Sequence, residues 1–476
     1  MTEILNFAEP NRTVGHDDPM SESIKCRQGN QILQTVKTMK NLNRRSFMQI
    51  VKAVLSMLFF IWTAVPAEAQ TPASAQSSPI AITGAAIHTV SGDLIENGTL
   101  LFEDGVITAV GVDIELPAGT EVVDASGKEV WPGLIDAYSQ MGIYEIGAVN
   151  LTVDVNEQGS VNPNVMVERA FNPESRHIAV ARSAGIVVSV TTPGGGLVSG
   201  QSAAMLMDGW AWDSMTLKAG VGMIVNWPNA SQNSYSRNLE TLRDLFAEAR
   251  AYRKARLAVE AGEAARMDID IRLEAMMRLF DGTMPVVISA NEVRQIQDAV
   301  TWAEEEGLRM ILLGGRDAHL VTEQLLAHSV PVILTEVLTS PSRNWESFDA
   351  RYRLPAQLYD AGVQFAIAGI ANPANANRLP YEAGAAMAFG LSEEAAVRAV
   401  TLEPARILGL GDRLGSLEPG KDASFLITDG NPIEYATQIE QVYIQGRKSD
   451  MNDMHRQFYE RYSEKVRQMQ QDSAQR

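Results

Sequence analysis

Residues 413–432 read RLGSLEPGKDASFLITDGNP. A Glu-Pro-Gly-Lys turn at 418–421 leads into Ser424–Thr428, an apolar, β-rich run that stops at an Asp-Gly turn. A second strand-like run, QIEQVYIQGR (438–447), follows. Two short strands cannot bury their apolar faces alone, and their best partners lie at the other end of the chain. There IAITGAAIHTV (80–90), GTLLFEDGVITAVG (98–111, turning at Glu103-Asp104-Gly105) and EVVDASGKEVWPG (121–133) have the same character. The two ends are therefore expected to build one small composite β-sandwich from residues 80–133 plus 405–447, with residues 134–404 inserted as a separate domain.

That insert alternates continuous apolar runs with helical stretches. The runs are LIDAY (134–138), GIVVSVTTP (185–193), GVGMIVNWP (220–228), MPVVISAN (284–291), LRMILLGG (308–315), VPVILTE (330–336) and VQFAIAGI (363–370). Unbroken Val, Ile and Leu suit strands buried on both faces of a helix-covered parallel sheet. Between them, EVRQIQDAVTWAEEEG (292–307) and RDAHLVTEQLLAHS (316–329) carry apolar residues at helical spacing. The expected fold class is α/β, a (β/α)8 TIM-like barrel inserted in the sandwich, with a doubly wound sheet as the alternative. A helical tail, 448–476, places Met454, Phe458, Tyr462, Val466 and Met469 near helical spacing, and is expected to dock on its own domain.

The first 69 residues read differently. Lys40, Arg44 and Arg45 precede an apolar run, Ala53–Val65, followed by small residues at Ala67 and Ala69. This is the pattern of a secretory signal peptide at about 39–69, with cleavage after Ala69 and an exported, periplasmic product. NRRSFMQ (43–49) resembles a twin-arginine signal, departing from the common form at its first and last positions. The apolar run is shorter than the ~20 residues of a bilayer span, so no stable span is expected after processing. QTPASAQSSP (70–79) reads as a flexible linker.

Composition narrows the function classes. The 476-residue chain is 45% hydrophobic and 21% charged. Removing residues 1–69 takes away Cys26, the one cysteine, together with 8 of 40 basic and 6 of 58 acidic residues. What is left has no thiol for disulfides or nucleophilic catalysis. Its 32 basic and 52 acidic residues give a net charge near −20, which repels phosphate backbones and excludes nucleic acid as a natural partner.

In order along the chain, VWPGLIDA (130–137), NRLPYEAGAAMAFGLSEEAAVRAVTLEPARILGL (377–410) and the opening stretch resemble the amidohydrolase superfamily, specifically its imidazolonepropionase-like branch. The resemblance runs from Ile80 to about Arg447. It implies a hydrolase of non-peptide C–N bonds, amide or lactam, whose zinc or other divalent ion sits at the C-terminal ends of the barrel strands. Such an ion lowers the pKa of its bound water from about 15.7 to about 7.

Mapped onto this sequence, the family's ligand positions are Tyr138 and Gln140 after the first strand, Ser289 on the fifth and Gly314 on the sixth. The eighth-strand aspartate falls on Gly369 or Ile370. None is an imidazole or an acid. The histidines outside the leader are His88, His177, His319, His328 and His455. Only His177 could approach the barrel mouth, and it has no imidazole partner at ligand spacing. Losing a water pKa shift of that size forfeits on the order of 12 kcal/mol of nucleophile activation. A side-chain base supplies only about 3 to 5 kcal/mol. No cofactor is expected, and the frame of a metal site remains without its ligands.

Other chemistry is thinly signalled. TTPGGGLVSGQSAAMLMDG (191–209) lacks a phosphate-loop ending, and GQSAA around Ser202 only partly resembles a serine-hydrolase elbow. Its glycines suit a backbone loop over the barrel mouth, close to a bound molecule. The expected pocket comprises Tyr138, Gln140, Ser289, Asn291, Arg316 and Arg378, with Glu145 and Glu382 as further carboxylates. Such a lining suits a small anionic or amide-containing ligand. Three functions stay open: a non-catalytic binding or scaffolding protein, a hydrolase with an unusual or metal-free site, and a subunit supporting an active relative. The expected protein partner is a second copy of the chain or that relative.

Overall fold

The computed structural model describes residues 71–474; the signal-peptide assignment at 39–69 lies outside the described residues. Two sheets account for the strands.

The first sheet joins the two ends of the chain. Its strands are β1 (Ile80–His88), β2 (Leu94–Glu103), β3 (Val106–Gly111), β4 (Glu121–Asp124), β5 (Glu129–Pro132) and, from the far end, β14 (Phe425–Thr428), β15 (Ile439–Ile444) and β16 (Arg447–Lys448). They run in the order β16-β15-β14-β5-β1-β2-β3, with β4 pairing beside β1. The union is made by β5 and β14, which pair antiparallel with Trp131 opposite Leu426. Alternate residues point into one core of Ile82, Ile87, Leu100, Phe102, Ile107, Phe425 and Tyr443. There the Phe425 and Tyr443 rings stack at 4.6 Å, with Phe102 edge-on.

The second sheet is the barrel. Its eight strands are β6 (Leu134–Ser139), β7 (Ile186–Thr191), β8 (Val198–Leu206), β9 (Thr216–Asn226), β10 (Val286–Ala290), β11 (Met310–Gly314), β12 (Val332–Leu334) and β13 (Phe365–Ile367). In β7, β8 and β11 every side chain is buried, on both faces, as continuous apolar runs require. Closure between β13 and β6 uses an intervening piece of backbone. Ile135 N–H donates to Val400 C=O and Ile367 N–H to Ala399 C=O, while nearer the mouth Gln140 N–H reaches Ala371 C=O at 2.8 Å.

One strand departs from the regular pattern. β8 runs antiparallel to both β7 and β9, so residues 186–226 form a meander with no crossover helix. The glycine-rich segment is the first of its turns. Gly195 and Gly196 adopt positive φ, and a Cβ on Gly196 would lie 2.9 Å from the Ser160 carbonyl. Their close approach is to the chain at 156–160 and not to a ligand space.

Residues 71–79 lie against the sheet edge. Gln76 donates to the Phe102 and Ser78 carbonyls and accepts from Gly105 N–H, each about 3 Å away. At the other end, helix Met454–Ala474 is tied down only at its start, where Asp453 accepts from Ser183 Oγ and from His455 and Arg456 N–H. Phe458, Tyr462, Val466 and Met469 are exposed, so the expected docking of this helix on its own domain is not what the fold does. Among the described residues no helix is long and apolar enough to cross a membrane.

Candidate functional site

A cavity of about 270 Å³ opens at the C-terminal ends of the barrel strands. Tyr138 from β6, Ser289 and Asn291 from the end of β10, and Gly314 and Arg316 from the end of β11 line it, joined by Thr335, Glu336 and Arg351. Barrel geometry explains the convergence, because residues at the ends of successive parallel strands share one rim.

Four of the six pocket residues expected from the sequence are thus brought together. Gln140 is turned aside, its amide nitrogen lying toward Gly194, and Arg378 ends a 3-10 helix outside the lining. Glu145 and His177 pair with one another away from the cavity, His177 Nε2 lying 3.2 Å from the Glu145 carbonyl. Ser202 is buried inside β8 and donates to Gly222 C=O, with no base beside it. His88 stacks on Trp131 in the sandwich, beside a cleft that His88, Trp131 and Glu393 help to line, away from the barrel mouth.

The lining's electrostatics come from two arginines. Arg351 sits on helix Ala350–Asp360 and is nearly fully buried. It donates to Thr335 C=O at 2.6 Å and to Glu336 C=O, and burial lowers its pKa against the pull of Glu336. Arg316 reaches Glu292 at 3.5 Å, and its Nε, buried without a hydrogen bond, lies 3.8 Å from Asp317 Oδ1. Among the described residues, Nη1 of neither guanidinium has a protein acceptor. These two free Nη1 donors offer charge-assisted bonds to an acceptor from outside the chain. Burial, then the charges of Glu336 and Asp136, push the Tyr138 phenol above its ordinary pKa, so it meets a ligand as a neutral hydroxyl.

Beneath the cavity Asp136 is fully buried. Its Oδ1 accepts Gly369 N–H at 3.0 Å, Oδ2 has no partner, and burial lifts the carboxyl to about 7. Glu382, on helix Leu379–Ala388, is also buried and raised in pKa by that burial; it accepts Leu338 N–H and so fixes the chain just after β12.

An amidohydrolase family model matches residues 215–457, which is more than half of the chain and includes β9–β15. The chain belongs to the amidohydrolase family. It is 25% identical to amidohydrolase tasK of Hapsidospora irregularis over 390 residues, covering 73% of this chain but only 39% of tasK. It is also 25% identical to imidazolonepropionase of Geobacillus kaustophilus over 412 residues, 76% of this chain and 91% of that one. Among solved structures, an amidohydrolase from Thermotoga maritima MSB8 superposes with a TM-score of 0.71 at 26% identity, covering 78% of this chain and 99% of the other.

A divalent ion of the kind this amidohydrolase fold implies does not fit the residues present. Tyr138 and Ser289 offer neutral hydroxyls, and the two guanidiniums repel a cation. At Gly314 (φ +93°) a Cβ would lie 2.7 Å from the Asn291 amide oxygen, so the space for a ligand side chain there is already filled. Among the described residues no three His, Cys, Asp or Glu side chains are arranged to hold a metal.

Proposed function

We propose that this amidohydrolase-family protein is an exported binding protein whose barrel mouth holds a small carboxylate bearing an amide, lactam or acyl-amino group. The reading rests on one observation: Arg316 and Arg351 bring two guanidiniums to a cavity whose other polar lining is mainly hydroxyls and the Asn291 carboxamide, with Glu336 its one carboxylate. Charge-assisted bonds from arginine to carboxylate are among the strongest a site can offer, and they need no metal. Asn291, Ser289 and Tyr138 supply donors and acceptors for the C–N group. At about 270 Å³ the space suits a small molecule.

Thermal denaturation of the exported protein with a panel of N-acyl amino acids and lactam carboxylates tests this, with product analysis of the same mixtures. The expected result is saturable stabilisation without turnover, abolished in Arg316→Gln. Turnover that is lost in Tyr138→Phe or Ser289→Ala would replace the binding role with metal-free hydrolysis of the same class of bond.

A further inference from the structure

The cavity is not uniformly cationic. The same lining holds Glu336, in an unusual backbone state: φ is +56°, the left-handed region that a glutamate seldom occupies. The strain is held from two sides. Arg351 takes the carbonyls of Thr335 and Glu336, and Glu382 takes Leu338 N–H. This clamp fixes the corner without using the Glu336 side chain. Glu336 is exposed, its carboxylate makes no hydrogen bond or ion pair among the described residues, and its charge acts on Arg351. Non-glycine strain persists where surrounding structure over-determines it, and it gathers at ligand-binding corners.

We infer that the ligand is zwitterionic: its carboxylate is taken by Arg316 and Arg351, and an ammonium or other cationic group by Glu336. This rests on the reading of the mouth as an anion site and adds the opposite pole to it. A plain carboxylate engages only the guanidiniums and leaves the Glu336 carboxylate without a partner. An amino carboxylate matches both poles at once, and a rigidly presented partner loses little freedom on binding it.

Calorimetric titration at low ionic strength tests this with two matched series, the ω-amino carboxylates from glycine to 6-aminohexanoate and the plain carboxylates from acetate to hexanoate. At the chain length that spans the poles, the amino compound is expected to bind about two- to fivefold tighter, the range of an exposed ion pair. Glu336→Gln should erase that preference, with plain carboxylates bound no more weakly than before because a like charge near their site is removed. Glu336→Asn, which tolerates the left-handed backbone, should do the same and so separates lost charge from altered strain. Plain carboxylates binding as tightly as amino carboxylates at every length would overturn the inference and leave the anion site standing. Failure of both series to bind would remove the anion site, and this inference with it.

Discussion

Asp317 accepts both ends of the Arg343 guanidinium, from Nη1 at 2.8 Å and from Nη2 at 2.9 Å. The pair spans two barrel connections, tying the loop after β12 to the chain just beyond β11. Glu346 adds a second contact to Arg343 at 3.2 Å, and Val293 N–H a further bond to Asp317. One rim of the cavity thus depends on a nearly buried carboxylate.

Asp317→Asn should therefore loosen that rim. The expected cost is about 1 to 3 kcal/mol, read as a lower urea midpoint, with faster proteolysis confined to residues 335–349. Burial works against the ionised form of Asp317, but the bonds and charge of Arg343 outweigh it and hold the pKa below the ordinary value. Its stabilisation is present above the unfolded pKa of about 3.9 and is lost as pH falls through the lower folded value. Wild-type protein should shed this contribution only below about pH 4, and the Asn variant should lack that part of the acid transition.

Asp136 behaves in the opposite sense. Its folded pKa, about 7, lies above the unfolded value because burial disfavours the charge. The contribution is fully present below about pH 3.9 and is lost as pH rises through the folded value, on the order of 4 kcal/mol across the window. Asp136→Asn keeps an acceptor for Gly369 N–H and has no charge to bury. Urea titrations at pH 5 and pH 8 should show wild type losing stability relative to the variant on the alkaline side. A constant difference between the two would mean that Asp136 is hydrated or paired.

Restoring an imidazole at the sixth strand should fail. Gly314→His places a side chain against the Asn291 amide and forces a Cβ into φ +93°, a combined cost of roughly 2 to 4 kcal/mol in thermal or urea unfolding. Zinc added to the variant should give no compensating rise in melting temperature.

Arg351→Met tests the clamp on the strained corner. Loss of the guanidinium leaves the Thr335 and Glu336 carbonyls without their donor, at a cost of about 1 to 3 kcal/mol. Glu336→Gly in the same background should recover part of it, because glycine accepts the left-handed backbone freely. No recovery would mean that the strain is not what Arg351 restrains.

The barrel and the pairing of the two chain ends were legible because continuous apolar runs and Pro-Gly and Asp-Gly turns are local signals. The antiparallel β8 was not. VSGQSAAML carries glycine, serine and alanine where a strand usually shows branched side chains, and its partners rather than its composition make it a strand. Tyr138, Ser289, Asn291 and Arg316 were found because they lie on or directly after strand ends. Thr335 and Glu336 carried the same signal, closing the run VPVILTE, and could have been included. Arg351 could not: it enters from a helix beyond a folded loop, and nothing near it in sequence marks that reach. Gln140 was placed by the family's ligand pattern just after the first strand, but beyond Ser139 the chain leaves the strand and the side chain turns toward Gly194.

The most direct test of the central claim, that this amidohydrolase mouth is built for an organic anion and not for a metal ion, is elemental analysis. Protein purified without metal-affinity steps and equilibrated with equimolar zinc and manganese, then desalted, should carry far less than one equivalent of either. It should also melt at the same temperature before and after chelator treatment. One tightly held divalent ion per chain, with chelator-sensitive hydrolysis of an amide or lactam, would contradict the account.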